Sequence, residues 1–175
     1  GTVNHNIRHS FSPMLPSNTT FIDLSPSLDD IVMNMKNKTR YNIRLSQKRG
    51  VIVREGSEKD LPVFLSLYKE TAERNGIRNH SSSSFSSLFH TNEDDALVKL
   101  LIAEREGESL AALFLSLSDD RASYLYGASS SVGRENMPTY ALQMAAIREA
   151  KKNGAREYDM FGVAPKGEEN HPLSG

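Results

Sequence analysis

The sequence predicts an α+β domain: a mostly antiparallel sheet with one parallel βαβ closure, flanked by helices. Three observations predict it. Residues 96–106 (ALVKLLIAERE), 109–118 (SLAALFLSLS) and 121–129 (RASYLYGAS) are consecutive strand-like runs separated by hairpin-length turns. Strand 121–127, a helix from Pro138 to Lys152 and a strand over 156–161 then form a βαβ unit, whose two strands run parallel with a right-handed crossover. Finally, helical periodicity fills the residues ahead of the sheet, 28–49 and 57–76.

Taken in order, residues 1–19 (GTVNHNIRHSFSPMLPSNT) have the polar, proline-bearing texture of a linker or an expression remnant. The domain proper is expected over residues 20–175, as a C-terminally truncated half of a two-domain protein. The chain has no initiating methionine and stops at HPLSG without a closing element. FIDLS (21–25) reads as a short strand, and Ser25 or Ser27 as the cap of a helix with Pro26 near its start. Leu28, Ile31 and Met35 recur at helical spacing, which predicts one helix continuing to Arg49 before Gly50. Residues 31–54 carry seven basic side chains and no acidic one, and Lys36, Arg40, Arg44 and Lys48 repeat every fourth position as one stripe. Such a stripe is either a solvated face or a phosphate contact.

VIVREG (51–56) is a strand. Ser57 with Asp60 forms a loose capping box for a helix that buries Leu61, Phe64, Leu65 and Tyr68 and ends at Gly76. HSSSSFSSLFH (80–90) fits a serine-led short helix whose serines cap rather than attack, because no Ser-His-Asp pattern accompanies them. The apolar character of the central strands predicts a sheet covered on both faces. In the strand 121–127, alternation is expected to place Tyr124 and Tyr126 on one face and Leu125 on the other. The helix at Pro138 begins just beyond, with unpaired N–H groups and partial positive charge aimed at the same sheet edge, a seat for phosphate or carboxylate.

Composition bounds the chemistry. The 175 residues suit one domain, and 21 basic against 22 acidic side chains leave no global field for capturing nucleic acid or membrane. The absence of cysteine excludes disulfides and thiolate chemistry, and is compatible with a cytoplasmic location. No run approaches a membrane span. His5 and His9 lack a third metal ligand, so no metal is expected. His80 and His90 fit surface positions better than general bases, and His171 fits a turn.

Four stretches, TRYNIRLSQKRGV (39–51), ETAERNGI (70–77), YLYGASS (124–130) with MPTYALQ (137–143), and YDMFGVAP (158–165) followed by HPLSG (171–175), carry a resemblance. In this order they resemble the acyltransferase fold of the GNAT superfamily and, within it, the FemABX family of peptidoglycan bridge-forming aminoacyltransferases. The resemblance implies transfer of an amino acid from aminoacyl-tRNA, as co-substrate and without a cofactor, to the side-chain amine of a stem peptide. The acceptor would be a UDP- or lipid-linked muropeptide precursor, and the lipid-linked form would bring the protein beside a membrane. It further implies Arg74 and Arg78 as grips on the precursor diphosphate and Tyr126, with Tyr124 second, as hydrogen-bonding partners of substrate. Thr139 and Gln143 would line the same crevice, and Arg44 and Lys48 would meet tRNA phosphates. Apart from the resemblance, Asp159, between Tyr158 and Met160 on the final strand, is either a catalytic candidate for orienting an amine or the partner of a neighbouring cation.

The family normally pairs two such domains and continues past HPLSG into an aromatic, lysine-bearing, glycine-rich segment; neither is present here, so the fragment alone is not expected to turn over substrate. Two competing readings differ by test. An acyl-CoA-dependent N-acetyltransferase needs a glycine-rich pyrophosphate loop that SSVGRENMP (130–138) does not supply. A noncatalytic precursor- or RNA-binding module would bind without transfer.

Overall fold

The computed structural model describes residues 19–76, 81–90 and 97–162. Its strands are β1 (Phe21–Asp23), β2 (Ile52–Gly56), β3 (Leu97–Arg105), β4 (Glu108–Leu117), β5 (Arg121–Ser129) and β6 (Glu157–Asp159). Its α-helices are α1 (Leu28–Asn34), α2 (Asn37–Lys48), α3 (Leu61–Asn75), α4 (Ser82–Ser86) and α5 (Pro138–Lys152). The strands form one sheet in the order β1-β6-β5-β4-β3-β2. Only the β5–β6 pair is parallel; the other four are antiparallel.

Local chemistry explains the boundaries. The β3–β4 hairpin turns on Glu106 and Gly107, both at positive φ (54° and 85°), the backbone of a two-residue type I′ turn. Ser57 and Asp60 make the capping box foreseen ahead of α3, and α3 ends on Gly76 in the left-handed conformation at φ 64°. The Ser81 side chain caps α4 through the Ser84 N–H.

The sheet is covered on both faces. On one, Leu101, Leu113 and Leu115 pack against Leu142, Met144 and Ile147 of α5, together with Ile31 and Ile43 from α1 and α2. On the other, Leu100, Ile102 and Phe114 pack against Phe64, Leu67 and Tyr68 of α3 and Phe85 of α4. Phe114 is fully buried there, with the Phe64 ring edge-on at 4.7 Å. Each such side chain contributes roughly 1.5–3 kcal/mol of hydrophobic stabilisation. The near-continuous apolarity of β4 follows, since it has a core on either side.

Three expectations change. The single helix expected over residues 28–49 is two: Met35 takes an extended ψ of 155°, and α2 starts afresh at Asn37. Arg40 explains the break, because its guanidinium donates to the carbonyls of Met33 and Met35 at 2.7 and 2.6 Å and so terminates α1 with a side chain from α2. Arg40 therefore leaves the expected cationic stripe. The last strand is shorter than 156–161, because Phe161 and Gly162 adopt positive φ (49° and 58°) and turn the chain aside. The two tyrosines also part company. Phe114 pairs with Tyr126 but Leu115 pairs with Tyr124, so Leu125 is an extra residue, a β-bulge that resets the alternation. Tyr124 packs into the α5 face and Tyr126 into the α3 face.

Candidate functional site

β5 and β6 are zipped only over Arg121–Ser123 and Glu157–Asp159. β5 then runs on through Tyr124 to Ser129 paired to β4 alone, while β6 stops. The α5 helix starts beside this parting. Its first residue is Pro138, which has no N–H to lose, and its N-cap, Met137, is held at φ 55° and supplies no side-chain cap. The Tyr140 and Ala141 N–H groups return to the Met137 carbonyl at 3.1 and 3.4 Å, so the Thr139 amide and the partial positive charge of the helix start are what α5 offers to the gap.

A cleft of about 160 Å³ occupies the gap, lined by Arg74 and Thr71 of α3, Tyr124, Gly127 and Ser129 of β5, and Thr139 and Gln143 of α5. The bulge at Leu125 puts Tyr124 on the α5 face, where it lines this cleft. A Cβ on Gly127 would sit 1.7 Å from the Tyr124 hydroxyl, so the ring lies directly over the glycine backbone. Burial pushes the Tyr124 hydroxyl's pKa up, which keeps it a neutral donor. Gln143 Oε1 accepts a hydrogen bond from the buried Tyr158 hydroxyl at 2.7 Å, leaving the amide N–H pair of Gln143 to offer. The cleft therefore presents a guanidinium, hydroxyls and an amide, with no carboxylate among the described residues that line it. Such a donor set suits an anion, or an oxyanion that develops during acyl transfer.

The C-terminal half of α3 holds the loop that leads into α5. Arg74 donates from Nη1 to the Ser129 carbonyl and the Ser131 hydroxyl, both at 3.1 Å, and from Nη2 to the Ser129 hydroxyl at 2.9 Å. Thr71 Oγ1 accepts from the Ser129 N–H at 2.9 Å, and Glu70 Oε2 accepts from the Ser131 N–H at 2.9 Å and the Ser130 hydroxyl at 3.2 Å. Glu70, Thr71 and Arg74 form one clamp because Arg74 lies four residues from Glu70 and three from Thr71, spacings that share a helix flank. Beyond the clamp, Gly133 at φ 74° passes so close to Leu110 that a Cβ would meet its Cδ2 at 2.9 Å. A second hollow of about 390 Å³, bounded by Arg134, Met137 and Tyr140, adjoins the cleft through Ser129 and Thr139.

The structure brings Arg74, Tyr124, Thr139 and Gln143 together. Tyr126 lies across the sheet, its ring edge-on to Phe85 at 5.0 Å and to Tyr68 at 6.5 Å. Asp159 is buried; its Oδ1 accepts from the Phe161 N–H at 2.9 Å and from the Thr19 hydroxyl, and it faces away from α5 because its neighbour Tyr158 faces toward it. Arg44 and Lys48 are exposed on α2, away from the cleft lining. His90 is a surface residue, 3.4 Å from Glu58. Arg78, His5, His9, His80 and His171 lie outside the described residues. Among the described residues no cluster of His, Asp and Glu could hold a metal ion, and no helix is long and apolar enough to cross a membrane. Sequence reasoning missed Glu70, Thr71, Gly127 and Tyr158; the helical spacing of Glu70 and Arg74 was the available signal for the clamp.

Known proteins share this fold and align with most of this sequence. The chain is 22% identical over 209 residues to a Staphylococcus epidermidis protein named lipid II:glycine glycyltransferase, an alignment covering 85% of this chain and 50% of that one. A Staphylococcus aureus protein of the same name is 22% identical over 214 residues, covering 85% and 51%. The chain thus spans about half the length of the relatives it matches. The crystal structure of FemX superposes with a TM-score of 0.80 at 19% identity, covering 87% of this chain and 55% of that one. A predicted acetyltransferase from Clostridium acetobutylicum superposes at 0.51 and 17% identity, covering 66% and 82%, so the fold is GNAT-like. The FemAB family model matches residues 7–106 and 101–175, nearly the whole sequence, and the chain belongs to that family.

Proposed function

We propose that this chain carries the acceptor-binding half of an aminoacyltransferase that moves an amino acid from aminoacyl-tRNA to the side-chain amine of a peptidoglycan precursor. The observation that carries this reading is the donor-lined cleft where β5 and β6 part beneath the start of α5. The name borne by the staphylococcal relatives supports a lipid-linked muropeptide as the acceptor, which would place the protein at a membrane surface. In this reading Arg74, already anchored on Ser129 and Ser131, presents its guanidinium to the diphosphate, and the α5 terminus adds partial positive charge. Tyr124, Thr139 and Gln143 orient the stem peptide.

The reaction is aminolysis of an ester. The neutral amine of the acceptor attacks the aminoacyl carbonyl carbon, the carbonyl oxygen becomes an oxyanion, and collapse expels the terminal ribose hydroxyl as the amide forms. The attacking nitrogen gives up a proton and the leaving oxygen gains one, so no net oxidant or hydrolytic energy is needed. Orientation and oxyanion donors can supply the acceleration.

The test is transfer of labelled amino acids from a charged tRNA pool to nucleotide- and lipid-linked precursors by the full-length gene product. The reading expects a labelled precursor, and Arg74→Ala to raise the apparent precursor constant about tenfold, the loss of one charge-assisted contact. Precursor binding without any transfer would reduce the protein to a binding module, and an unchanged constant would remove Arg74 from the site.

A further inference from the structure

The exposed face of α2 breaks the usual rule for which side chains go inside. Asn42 is buried to 5% exposure, whereas its neighbour Tyr41 is 63% exposed, the reverse of what a helix packed only for stability would show. Tyr41 is not alone on that face. At 100° per residue Lys38, Tyr41, Arg44 and Lys48 fall within about a 120° arc, opposite the buried Ile43 and Ser46, and Tyr41 to Lys48 spans about 10 Å of helix. Among the described residues, none of these three cations takes part in an ion pair, and residues 31–54 contain no acidic side chain to neutralise them. Arg40, by contrast, is spent on α1 and does not contribute.

We infer that this face is a docking surface for a single-stranded stretch of RNA, on which Tyr41 stacks a base while Lys38, Arg44 and Lys48 meet the flanking phosphates. The inference rests on the aminoacyl-tRNA reading above and names the part of the chain that would hold that donor. Charge complementarity and one exposed π-face are what single-strand binding needs, because every base can stack and backbone phosphates supply the counter-charge. A membrane-surface helix instead needs a broad apolar stripe of bulky residues sunk among lipid chains. Here the face offers one ring, with Met33 of α1, 65% exposed, the other large apolar side chain exposed on this helix pair.

The experiment is an anisotropy titration of the 175-residue chain with labelled uncharged tRNA, with a single-stranded oligonucleotide, and with phosphatidylglycerol vesicles. Tyr41→Ala is expected to weaken tRNA and oligonucleotide binding about 5- to 150-fold, the worth of one stacked base, with the salt slope unchanged. Tyr41→Phe should keep most of the affinity, and Arg44→Glu should flatten the salt slope. Tyr41 is exposed, so a matched urea midpoint will show that folding is intact. Unchanged affinity in Tyr41→Ala beside a loss in Arg44→Glu overturns stacking and leaves the tRNA donor standing. Failure of the parent chain to bind either RNA overturns the surface, whereas absence of transfer from charged tRNA by the full-length protein overturns the donor reading itself. Vesicle binding that Tyr41→Ala abolishes while RNA binding stays constant assigns the face to a membrane and overturns the proposal.

Discussion

Gly127 decides the shape of the cleft. Its missing Cβ is the space that the Tyr124 ring fills, with the ring's Cζ also only 2.6 Å from where that carbon would stand. Gly127→Ala should therefore expel the ring and destabilise the domain by about 1–3 kcal/mol, the usual range for overpacking. Tyr124→Leu in the same chain should recover part of that loss. A double-mutant cycle in urea checks it: non-additivity supports the contact, and simple additivity contradicts it. Arg74 matters at this scale in a different way. Its hydrogen bonds to Ser129 and Ser131 fix the guanidinium before any ligand arrives, which lowers the ordering cost of binding.

At the scale of elements, the junction of β2 with α3 carries a pH dependence. The Asp60 carboxylate accepts from Arg54 Nη2 at 2.7 Å and from the Ser57 N–H at 2.8 Å, and these bonds, Arg54's foremost, hold its pKa at about 2 against an ordinary 3.8. A depressed folded-state pKa stabilises the protein above the unfolded value and loses that stabilisation as pH falls through the folded one. Arg54 is 39% exposed, so screening limits the neutral-pH gain to about 1 kcal/mol or less. Asp60→Asn should flatten the dependence of unfolding free energy on pH between roughly 4 and 2. An identical slope in parent and variant, measured by denaturation across that window, would contradict the assignment. Elements were also where the sequence was most legible. Capping box, hairpin turns and terminal glycine are short-range signals, and the structure contains them. The break between α1 and α2 was illegible because it depends on Arg40 reaching back seven residues to a carbonyl that only the folded pair brings near. The bulge at Leu125 was illegible for a similar reason: period-two alternation assumes an unbroken register, and register belongs to two strands.

For the molecule as a whole, a sheet with cores on both faces opens where the parallel pair ends, and the first turn of the crossover helix stands over the opening. The βαβ unit and its crevice could be read from strand, proline and helix in sequence; which tyrosine enters the crevice could not. Another hollow, of about 390 Å³, lies among α2, β2 and α5, where Ile43, Val53, Leu101 and Met144 share the walls with Arg54, Glu55, Arg148 and Glu149. It is larger than the cleft, but Glu55 and Glu149 line it and Arg54 is already paired with Asp60 and Glu104, so it suits an anionic precursor less well. The most direct test is backbone amide mapping by NMR as a nucleotide-linked muropeptide is titrated into this chain. The account predicts shifts concentrated at Arg74, Tyr124, Gly127, Ser129, Thr139 and Gln143. Shifts gathered instead around Ile43, Val53 and Met144, with those six unmoved, would contradict it.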